Sequence, residues 1–337
     1  MDNSSLQCIN LDSIESRYSD LSSSILRTPT TKLSSAFLSD LIKESEIYLK
    51  LECFQHSGTF KARGALSVTK QIIKENKKFG ITAASAGNHA IAAAWAAKVE
   101  KLSAKVVMQT SANPFRISLA KTYGAEIIMK EGGLATFAEA DRLMREENRT
   151  FIHPFDGIDT TLGSAGVGLE LIQDYSDLDA VVVAVGGGGL ISGVAAAVKL
   201  KNNNCKIYGV EPIGANSMAQ SIKVGKPITL NSIDTIADSL APPMALPFSY
   251  SVCKKFVDEF VAVTDNQICA GLSLLQEEGK LAVEPAAGAV LAGAIWPLRK
   301  KLAGKRIGLV ICGANIDAKT YERFLRQGSR TINEELL

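Results

Sequence analysis

The sequence contains few of the residues that are typical of metal-binding, secreted or nucleic-acid-binding proteins. It has only three histidines, which show no ligand spacing, and its six cysteines never form a C-x-x-C pair. Neither a zinc site nor a disulfide framework is therefore predicted, and a reducing, cytoplasmic location is expected. The net charge of +2, with both signs scattered along 337 residues, gives no support for nucleic-acid binding.

Long apolar runs are also scarce. Residues 180–198 carry no charge, but the middle of this run is four consecutive glycines, which are poor helix formers, and strand-like valines precede them. The run is interpreted as a buried strand, a turn and a helix. The N-terminus has no basic region followed by an apolar core, so no secretory signal is predicted, and we expect no association with a membrane.

Strand-like and helical segments alternate along the chain. Strands are predicted at residues 47–52, 80–84, 104–109, 124–129, 151–154, 180–185, 205–210 and 306–311. Helical patterns fill most of the intervals, one of them from residue 64 to a lysine-rich end at residue 78. This order predicts an α/β fold with an open parallel sheet covered by helices. Residues 216–247 and the tail beyond Arg326 are predicted to be irregular.

A glycine turn follows the most apolar strand candidate and opens a helix. It consists of Gly186, Gly187, Gly188, Gly189 and Leu190. Successive N–H groups at a helix N-terminus bind anions, favoured by the helix dipole and by the absence of side chains. The turn matches neither the Walker motif nor the dinucleotide-binding fingerprint, so a single phosphate suits it better. Glu211, at the position of a ribose-binding acid, leaves a nucleotide-binding alternative open.

Three further segments carry candidate chemistry. Lys61 lies beside Phe60 in the first turn of a predicted helix, where the dipole and burial disfavour a cation and favour a reactive amine, although an ordinary surface lysine fits this segment equally well. The turn at residues 85–89 offers N–H groups and a hydroxyl to a carboxylate, but taken alone it is better explained as an ordinary turn with Ser85 as a helix cap. Cys312 lies at the sheet edge where open α/β sheets bind ligands, or is simply a small buried residue.

These motifs together resemble one family. The segments S-G-T-F-K-A-R-G-A (57–65), S-A-G-N-H (85–89) and C-G-A-N (312–315), with the four glycines, are similar to those of fold-type II pyridoxal 5′-phosphate enzymes, above all the serine/threonine dehydratases. The resemblance implies a two-domain, tryptophan synthase β-like architecture. Residues 1–79 and 153–337 would form a large cofactor-binding domain, and residues 80–152 a smaller domain that clamps the substrate. A homodimer is also implied.

The resemblance implies roles for individual residues. Lys61 forms the Schiff base with pyridoxal phosphate, Phe60 packs beside the ring, and Asn88 hydrogen-bonds the ring hydroxyl. The phosphate is held by Gly186, Gly187, Gly188, Gly189 and Leu190. Ser239, Glu284 and Cys312 surround the ring, with Cys312 near its nitrogen. The carboxylate of a small amino-acid substrate is held by Ser85, Ala86, Gly87, Asn88 and His89.

Departures from the family pattern decide the predicted activity. Similar serine racemases have a second serine where this chain has Ala86, which cannot transfer a proton, so elimination is favoured over racemisation. The metal site of some relatives would use Glu211, Ala215 and an acid in place of Ser217, so tight magnesium binding is not expected. We predict deamination of L-threonine to 2-oxobutanoate or of L-serine to pyruvate, with Lys61 as the catalytic base. The alternatives are a serine racemase, a 3-hydroxyaspartate ammonia-lyase and a non-catalytic nucleotide-binding protein.

Overall fold

The structure is a computed structural model that describes residues 6–75 and 79–337. Within these residues, six strands form the larger sheet. Their order is β1 (Thr30–Leu33), β2 (Glu46–Lys50), β10 (Arg306–Val310), β7 (Ala180–Ala184), β8 (Lys206–Pro212) and β9 (Glu259–Val263). Every neighbouring pair is parallel except β1 and β2. The larger sheet therefore has the parallel, open character that the sequence predicts.

A smaller sheet is formed by a continuous part of the chain. Its order is β5 (Glu126–Lys130), β4 (Ala104–Gln109), β3 (Ile81–Ala84) and β6 (Thr150–Phe151), and all of its pairs are parallel. The two-sheet architecture confirms the predicted α/β fold class. The predicted domain boundaries, which place residues 80–152 in a separate domain, stay a prediction.

Helices cover both sheets. In chain order they are α1 (Leu11–Leu21), α2 (Ala36–Leu41), α3 (Lys61–Lys74), α4 (Asn88–Val99), α5 (Pro114–Thr122), α6 (Gly132–Glu147), α7 (Ile158–Asp174), α8 (Gly189–Lys201), α9 (Ser217–Val224), α10 (Pro247–Phe256), α11 (Asp265–Glu277), α12 (Pro285–Ile295), α13 (Arg299–Leu302) and α14 (Ala318–Glu335). In the described residues, no helix combines the length and the apolar character that a membrane span requires.

The core of the larger sheet lies around β7 and the helices α7 and α8. All five residues of β7 are buried, as expected for a central strand covered on both faces. Glycines bring α7 and α8 into close contact, since a Cβ atom at Gly168 would lie 2.6 Å from the carbonyl oxygen of Val194. This packing holds the start of α8, and with it the glycine turn, against the sheet.

A buried ionic cluster fixes the beginning of α3. Arg63 donates from Nε to Glu52 Oε2 at 2.8 Å and from Nη1 to Glu170 Oε1 at 2.8 Å, while Lys50 Nζ donates to Glu170 Oε2 at 2.5 Å. All four side chains are fully buried, so each charge depends on its partners. Because Arg63 is two residues from Lys61, the cluster anchors the part of the helix from which Lys61 projects.

Several sequence predictions are wrong. The pattern does not predict the edge strands β1 and β9, because β1 is mostly polar and β9 is a short apolar run that periodicity alone does not assign to a strand. Residues 216–247 contain α9, and the tail beyond Arg326 continues α14, where Gly328 lets the helix approach the Cys269 carbonyl on α11. In both places the helix is stabilised by packing against other parts of the fold, which the local sequence pattern does not reveal. The predicted helix end at Lys78 lies outside the described residues, and α3 extends to Lys74.

Candidate active site

The segment that carries Lys61 is attached to the segment that carries Cys312. The N–H of Phe60 donates to the carbonyl of Cys312 at 3.0 Å, and Thr59 forms a β-bridge with Gly313. Helix α3 then begins at Lys61, as the sequence predicts. The start of one helix and the end of strand β10 are thus brought together at one edge of the larger sheet.

The Lys61 amine lies in a narrow cavity. It donates to the carbonyl oxygen of Pro154 at 3.0 Å and lies 5.1 Å from the centre of the Phe60 ring. Other residues that line the cavity include Gly64, His89, His153, Thr160, Ser164 and Gly189. Burial lowers the pKa of Lys61 to about 8, against the opposing effect of Glu284. A substantial fraction of this amine is therefore neutral, and able to act as nucleophile or base, near neutral pH.

The glycine turn forms an anion-binding surface from backbone alone. Gly188 has φ +93°, and a Cβ atom at Gly187 would lie 2.2 Å from the Phe155 ring, so neither position tolerates a side chain easily. In the part of the chain that the structure describes, no acceptor lies within hydrogen-bonding range of the N–H groups of Gly186, Gly187 and Gly188. Since α8 starts at Gly189, these donors add to the positive end of the helix dipole.

The turn at residues 85–89 has a different construction. It links β3 to α4, and the Ser85 hydroxyl accepts the Gly87 N–H at 3.1 Å. The N-cap of α4 is Gly87 and no side chain caps the helix, so Ser85 closes the turn without being the helix cap of the alternative interpretation. Asn88 and His89 occupy the first turn of α4, where backbone N–H groups have no intrahelical acceptor. Ala86 is half-buried and contributes only a methyl group to the turn. A carboxylate would find backbone donors here, but no second hydroxyl.

Buried amides connect this turn to the Cys312 segment. Asn88 Nδ2 donates to both carboxyl oxygens of Glu284, at 2.7 and 2.8 Å, and Asn315 Nδ2 donates to Asn88 Oδ1 at 2.8 Å. Burial raises the pKa of Glu284, and burial together with Glu284 raises the pKa of Cys312 well above its usual value. Cys312 is therefore a neutral thiol, which is a weak hydrogen-bond donor.

Arg116 belongs to the same cluster, although sequence reasoning missed it. Only 7% of Arg116 is exposed, and a Cβ atom at Gly87 would lie 3.2 Å from its Nη1. The guanidinium pairs with Asp238 through both Nη atoms, and Nε donates to the carbonyl of Asn315 at 3.2 Å. In the sequence, Arg116 is an isolated cation on a helix, and no local signal distinguishes it from a surface residue.

Ser239 lies near the site, whereas Glu211 does not contribute a free carboxylate. The Ser239 carbonyl oxygen would be 3.0 Å from a Cβ atom at Gly186, which places Ser239 beside the glycine turn. Glu211 accepts the N–H groups of Met218 and Ala219 at 2.9 and 2.8 Å, and burial raises its pKa to about 8. Both of its oxygens thus cap α9 and are not available to a ribose.

The expectation that magnesium does not bind tightly concerns Glu211, Ala215 and Ser217, in the same region of the chain. Ala215 is buried in a short 3-10 turn, and the Ser217 hydroxyl is buried without a partner. Among the described residues, no three His, Cys, Asp or Glu side chains are grouped so that they could hold a metal ion.

The residues present fit pyridoxal phosphate. The unpaired N–H groups of Gly186, Gly187 and Gly188 suit its phosphate, and the partly neutral Lys61 amine in the same cavity as Gly189 suits its aldehyde. Cys312 and Asn88 both lie beside Glu284, next to the Lys61 segment. The roles of the individual side chains stay predictions, but the structure brings the predicted motifs to one site.

Comparisons with known proteins agree with this chemistry. The family described as "pyridoxal-phosphate dependent enzyme" matches residues 21–313. Phenylserine dehydratase of Ralstonia pickettii is 44% identical, over 84% of this chain and 86% of its own length. L-threonine ammonia-lyase of Thermotoga maritima is 35% identical, over 95% and 79%. The solved structure of maize serine racemase superposes with a TM-score of 0.87 at 31% identity, and the match covers 96% of this chain and 99% of that one.

The relatives also exclude the non-catalytic alternative. The family match spans Lys61 and the glycine turn, and the matches to the phenylserine dehydratase and the threonine ammonia-lyase cover 84% and 95% of this chain. Family membership makes pyridoxal phosphate the cofactor and an amino acid the class of substrate. The chain belongs to the pyridoxal-phosphate dependent enzymes of fold type II and is a lyase related to the dehydratases and ammonia-lyases.

Proposed function

We propose that the enzyme removes water and then ammonia from a β-hydroxy α-amino acid, with L-threonine and L-serine as its substrates. The products are 2-oxobutanoate and pyruvate, respectively. The observation that carries this proposal is the partly neutral Lys61 amine in a cavity that is also lined by His89, at the end of the turn that contains Ala86. The cavity thus has a base in Lys61, and the turn has a methyl group at Ala86, where similar serine racemases have a hydroxyl that acts as a second base.

The carboxylate of the substrate is proposed to bind at the turn between β3 and α4. The N–H groups of Asn88 and His89 point from the first turn of α4, and the Arg116 guanidinium lies against Gly87. Both kinds of donor favour an anion. Arg116 is paired with Asp238 in the structure, so a bound carboxylate would compete with Asp238 for the same cation.

Lys61 is proposed to carry the proton transfers. Its neutral amine removes the α-proton, and the resulting ammonium gives that proton to the departing β-hydroxyl, which leaves as water. Pyridoxal phosphate, when bound, supplies the electron sink that makes the α-carbon acidic. The Cys312 thiol, being neutral, donates only weakly to a ring nitrogen, which favours rapid elimination over a long-lived carbanion. The released enamine hydrolyses to the keto acid and ammonium.

Phenylserine is a second candidate substrate. The 44% identity to a phenylserine dehydratase exceeds the 35% identity to a threonine ammonia-lyase, which favours a substrate with an aryl group. The cavity is also flanked by apolar rings, since Phe60 lines it and Phe155 covers the glycine turn. Threonine, serine and phenylserine share the β-hydroxyl that the reaction requires, so the chemistry is the same for all three.

A keto-acid assay tests this proposal. The holoenzyme is given L-threonine, L-serine, phenylserine and 3-hydroxyaspartate separately, and the formation of keto acid, ammonia and the D-enantiomer is followed. We expect keto acid from at least one of the first three and negligible racemisation. Racemisation of serine faster than its deamination would contradict the proposal.

An Ala86→Ser variant sharpens the test. A hydroxyl at position 86 should introduce measurable racemisation, while deamination falls by less than about tenfold, because Lys61 remains in place. Ala86→Val, which adds bulk without a proton donor, is the matched control. Racemisation by the valine variant would show that Ala86 does not determine the outcome.

The remaining predictions concern domain closure, oligomeric state and cellular location. We propose that residues 80–152 close on the substrate as a unit, which limited proteolysis with and without substrate would test. A homodimer and a cytoplasmic location stay predictions, and light scattering would test the first of these.

A further inference from the structure

His153 is a buried imidazole to which the proposed chemistry assigns no role. It follows strand β6 and lines the same cavity as Lys61. Its ring meets Phe155 edge-on at a centroid distance of 4.7 Å and Phe151 at 5.9 Å, with interplanar angles of 85° and 77°. Two aromatic neighbours therefore hold the imidazole in one orientation.

The backbone determines which nitrogen of His153 carries the proton. Nδ1 accepts the N–H groups of Asp156 at 2.9 Å and of Phe155 at 3.3 Å. A nitrogen that accepts these bonds has no proton, so the neutral ring carries its proton on Nε2. Burial, with a further contribution from nearby Lys61, lowers the pKa of His153 to about 4. The ring is thus neutral at pH 7 and has one N–H to donate.

The turn that provides these N–H groups is itself anchored beside the glycine turn. Asp156 Oδ1 accepts from the Ser249 N–H at 2.8 Å and from the Ser249 hydroxyl at 2.5 Å. Ser249 is also a neighbour of Gly188, because a Cβ atom there would lie 3.1 Å from the Ser249 Cβ. His153 is therefore positioned relative to the glycine turn by contacts that do not involve its own Nε2.

His89, the other imidazole that lines the cavity, differs from His153 because its N–H is already hydrogen-bonded to the protein. Its Nε2 lies 2.7 Å from the carbonyl of Ile152, so the N–H of that ring is already donated to the backbone. Burial lowers the pKa of His89 to about 3, which leaves it a neutral ring with no N–H to offer. In the described residues, Nε2 of His153 has no such partner. Of the two rings, only His153 has an N–H available to a ligand.

We propose that His153 donates its Nε2–H to the β-hydroxyl oxygen of the substrate and so positions the leaving group. The residue after it, Pro154, holds the Lys61 amine at 3.0 Å, so a hydrogen-bond donor lies beside the group that removes the α-proton. The β-carbon of the substrate is one bond from the α-carbon, and Lys61 and His153 line the same cavity, so the proposal places the β-hydroxyl between them. This inference rests on the proposed elimination from a β-hydroxy amino acid.

In the reaction His153 remains neutral. The α-proton moves to Lys61, and the electron pair of the α-carbon forms the new double bond as the Cβ–O bond breaks. The pair from that bond stays on the oxygen, which takes a proton from the Lys61 ammonium and leaves as water. The Nε2–H of His153 stabilises the negative charge that develops on this oxygen and is not itself transferred.

Leaving-group chemistry tests this role. His153→Phe and His153→Gln holoenzymes are compared with the wild type on the best β-hydroxy amino acid and on β-chloroalanine, because chloride departs without a hydrogen-bond donor. For His153→Phe we expect kcat on the hydroxy substrate to fall by about 10- to 100-fold, as for loss of a hydrogen bond to a charged group, and by less than about threefold on β-chloroalanine. His153→Gln, which keeps an N–H donor, should recover most of the loss.

Equal losses on both substrates would overturn the proposal in favour of a structural role, and so would no loss on either. The yellow cofactor absorbance and the melting temperature of each variant verify that it folds and binds the cofactor. If the wild-type enzyme eliminates neither substrate, the proposed function itself has failed, which the His153 variants would not reveal.

Nitrogen NMR of the cofactor-free protein supplies a readout that is independent of activity. It should show a neutral His153 with its proton on Nε2 down to about pH 5, consistent with the lowered pKa. A proton on Nδ1 at neutral pH would contradict the assignment. A His89 ring with the same Nε2–H tautomer and no change on cofactor binding is the internal reference.

Discussion

The glycine turn and the turn at residues 85–89 both present backbone N–H groups at the start of a helix, but they are built differently. Each follows a parallel strand, one in the larger sheet and one in the smaller, and each opens a helix whose N-terminus offers backbone N–H groups. The glycine turn is almost entirely buried and has no side chain before Leu190. The other turn is half-buried at Ser85, Ala86 and Gly87, and side chains surround it.

The two turns differ in the groups that attract an anion. The glycine turn offers backbone N–H groups only, and it has no room for side chains because Phe155 occupies the space that a side chain at Gly187 would need. The other turn depends on Arg116, which comes from α5 and is held by Asp238 and Asn315. The first is therefore a local anion site, and the second is completed only by distant parts of the chain.

Replacing Lys61 should reduce the activity most, because the two turns are proposed to hold the cofactor and the substrate on which the Lys61 amine acts. For Lys61→Ala we expect activity to fall by about 10²- to 10⁴-fold, the contribution of a general base, and borohydride to label no lysine. Pyridoxal phosphate should still raise the melting temperature, since the glycine turn is intact. Lys74→Ala, an exposed lysine at the end of the same helix, is the control and should retain full activity. A fully active Lys61→Ala enzyme would contradict the predicted role.

Adding one methyl group to each turn compares the two directly. A Cβ atom at Gly187 would overlap the Phe155 ring at 2.2 Å, whereas one at Gly87 would meet only the end of Arg116 at 3.2 Å. We expect Gly187→Ala to weaken cofactor binding by about 10- to 100-fold, from the cost of overpacking, and Gly87→Ala to change it less than about threefold. Cofactor titrations measured by absorbance give both values. Equal effects would remove the distinction between the turns.

Changing Arg116 tests the second turn alone. Arg116→Met should raise the KM of the amino acid by about tenfold, through loss of a charge-assisted hydrogen bond, with cofactor affinity unchanged. Asp238→Asn, which frees the guanidinium from its partner, should lower KM slightly. Because the Asp238 side chain is 60% exposed, its charge stays solvated in the Arg116 variant. Changes of the same sign in both variants would argue for a purely structural ion pair.

The pH dependence of cofactor capture tests the electrostatic environment of Lys61, which the two turns share. Burial lowers the Lys61 pKa to about 8, and only the neutral amine attacks an aldehyde. The rate at which the cofactor-free protein becomes yellow should therefore rise by about tenfold from pH 7 to pH 9 and then level off. An unshifted lysine would keep accelerating toward pH 10. Gly187→Ala should slow the capture at every pH without moving this midpoint.

Much of the fold can be predicted from the sequence because its parallel strands are buried on both faces. The valines of β7 and the glycines after them form a local pattern, and the predicted strand at residues 180–185 agrees with β7 within one residue. The edge strands β1 and β9 and the last helix α14 cannot be predicted in this way. β1 is mostly polar, β9 is a short apolar run whose pattern does not separate a strand from a helix, and α14 is largely polar, so each is defined by the element it packs against.

The sequence by itself determined the cofactor chemistry of this protein. The motifs around Lys61, Gly186 and Cys312 are local, since a lysine at a helix start and successive glycine N–H groups need no distant partner to be recognised. Only the tertiary structure decided that Arg116 meets Gly87 and that His153 presents its Nε2–H beside Lys61. The reason is physical: the charge and proton position of these side chains depend on burial and on hydrogen-bond partners from other elements, and neither can be inferred from the residues that flank them.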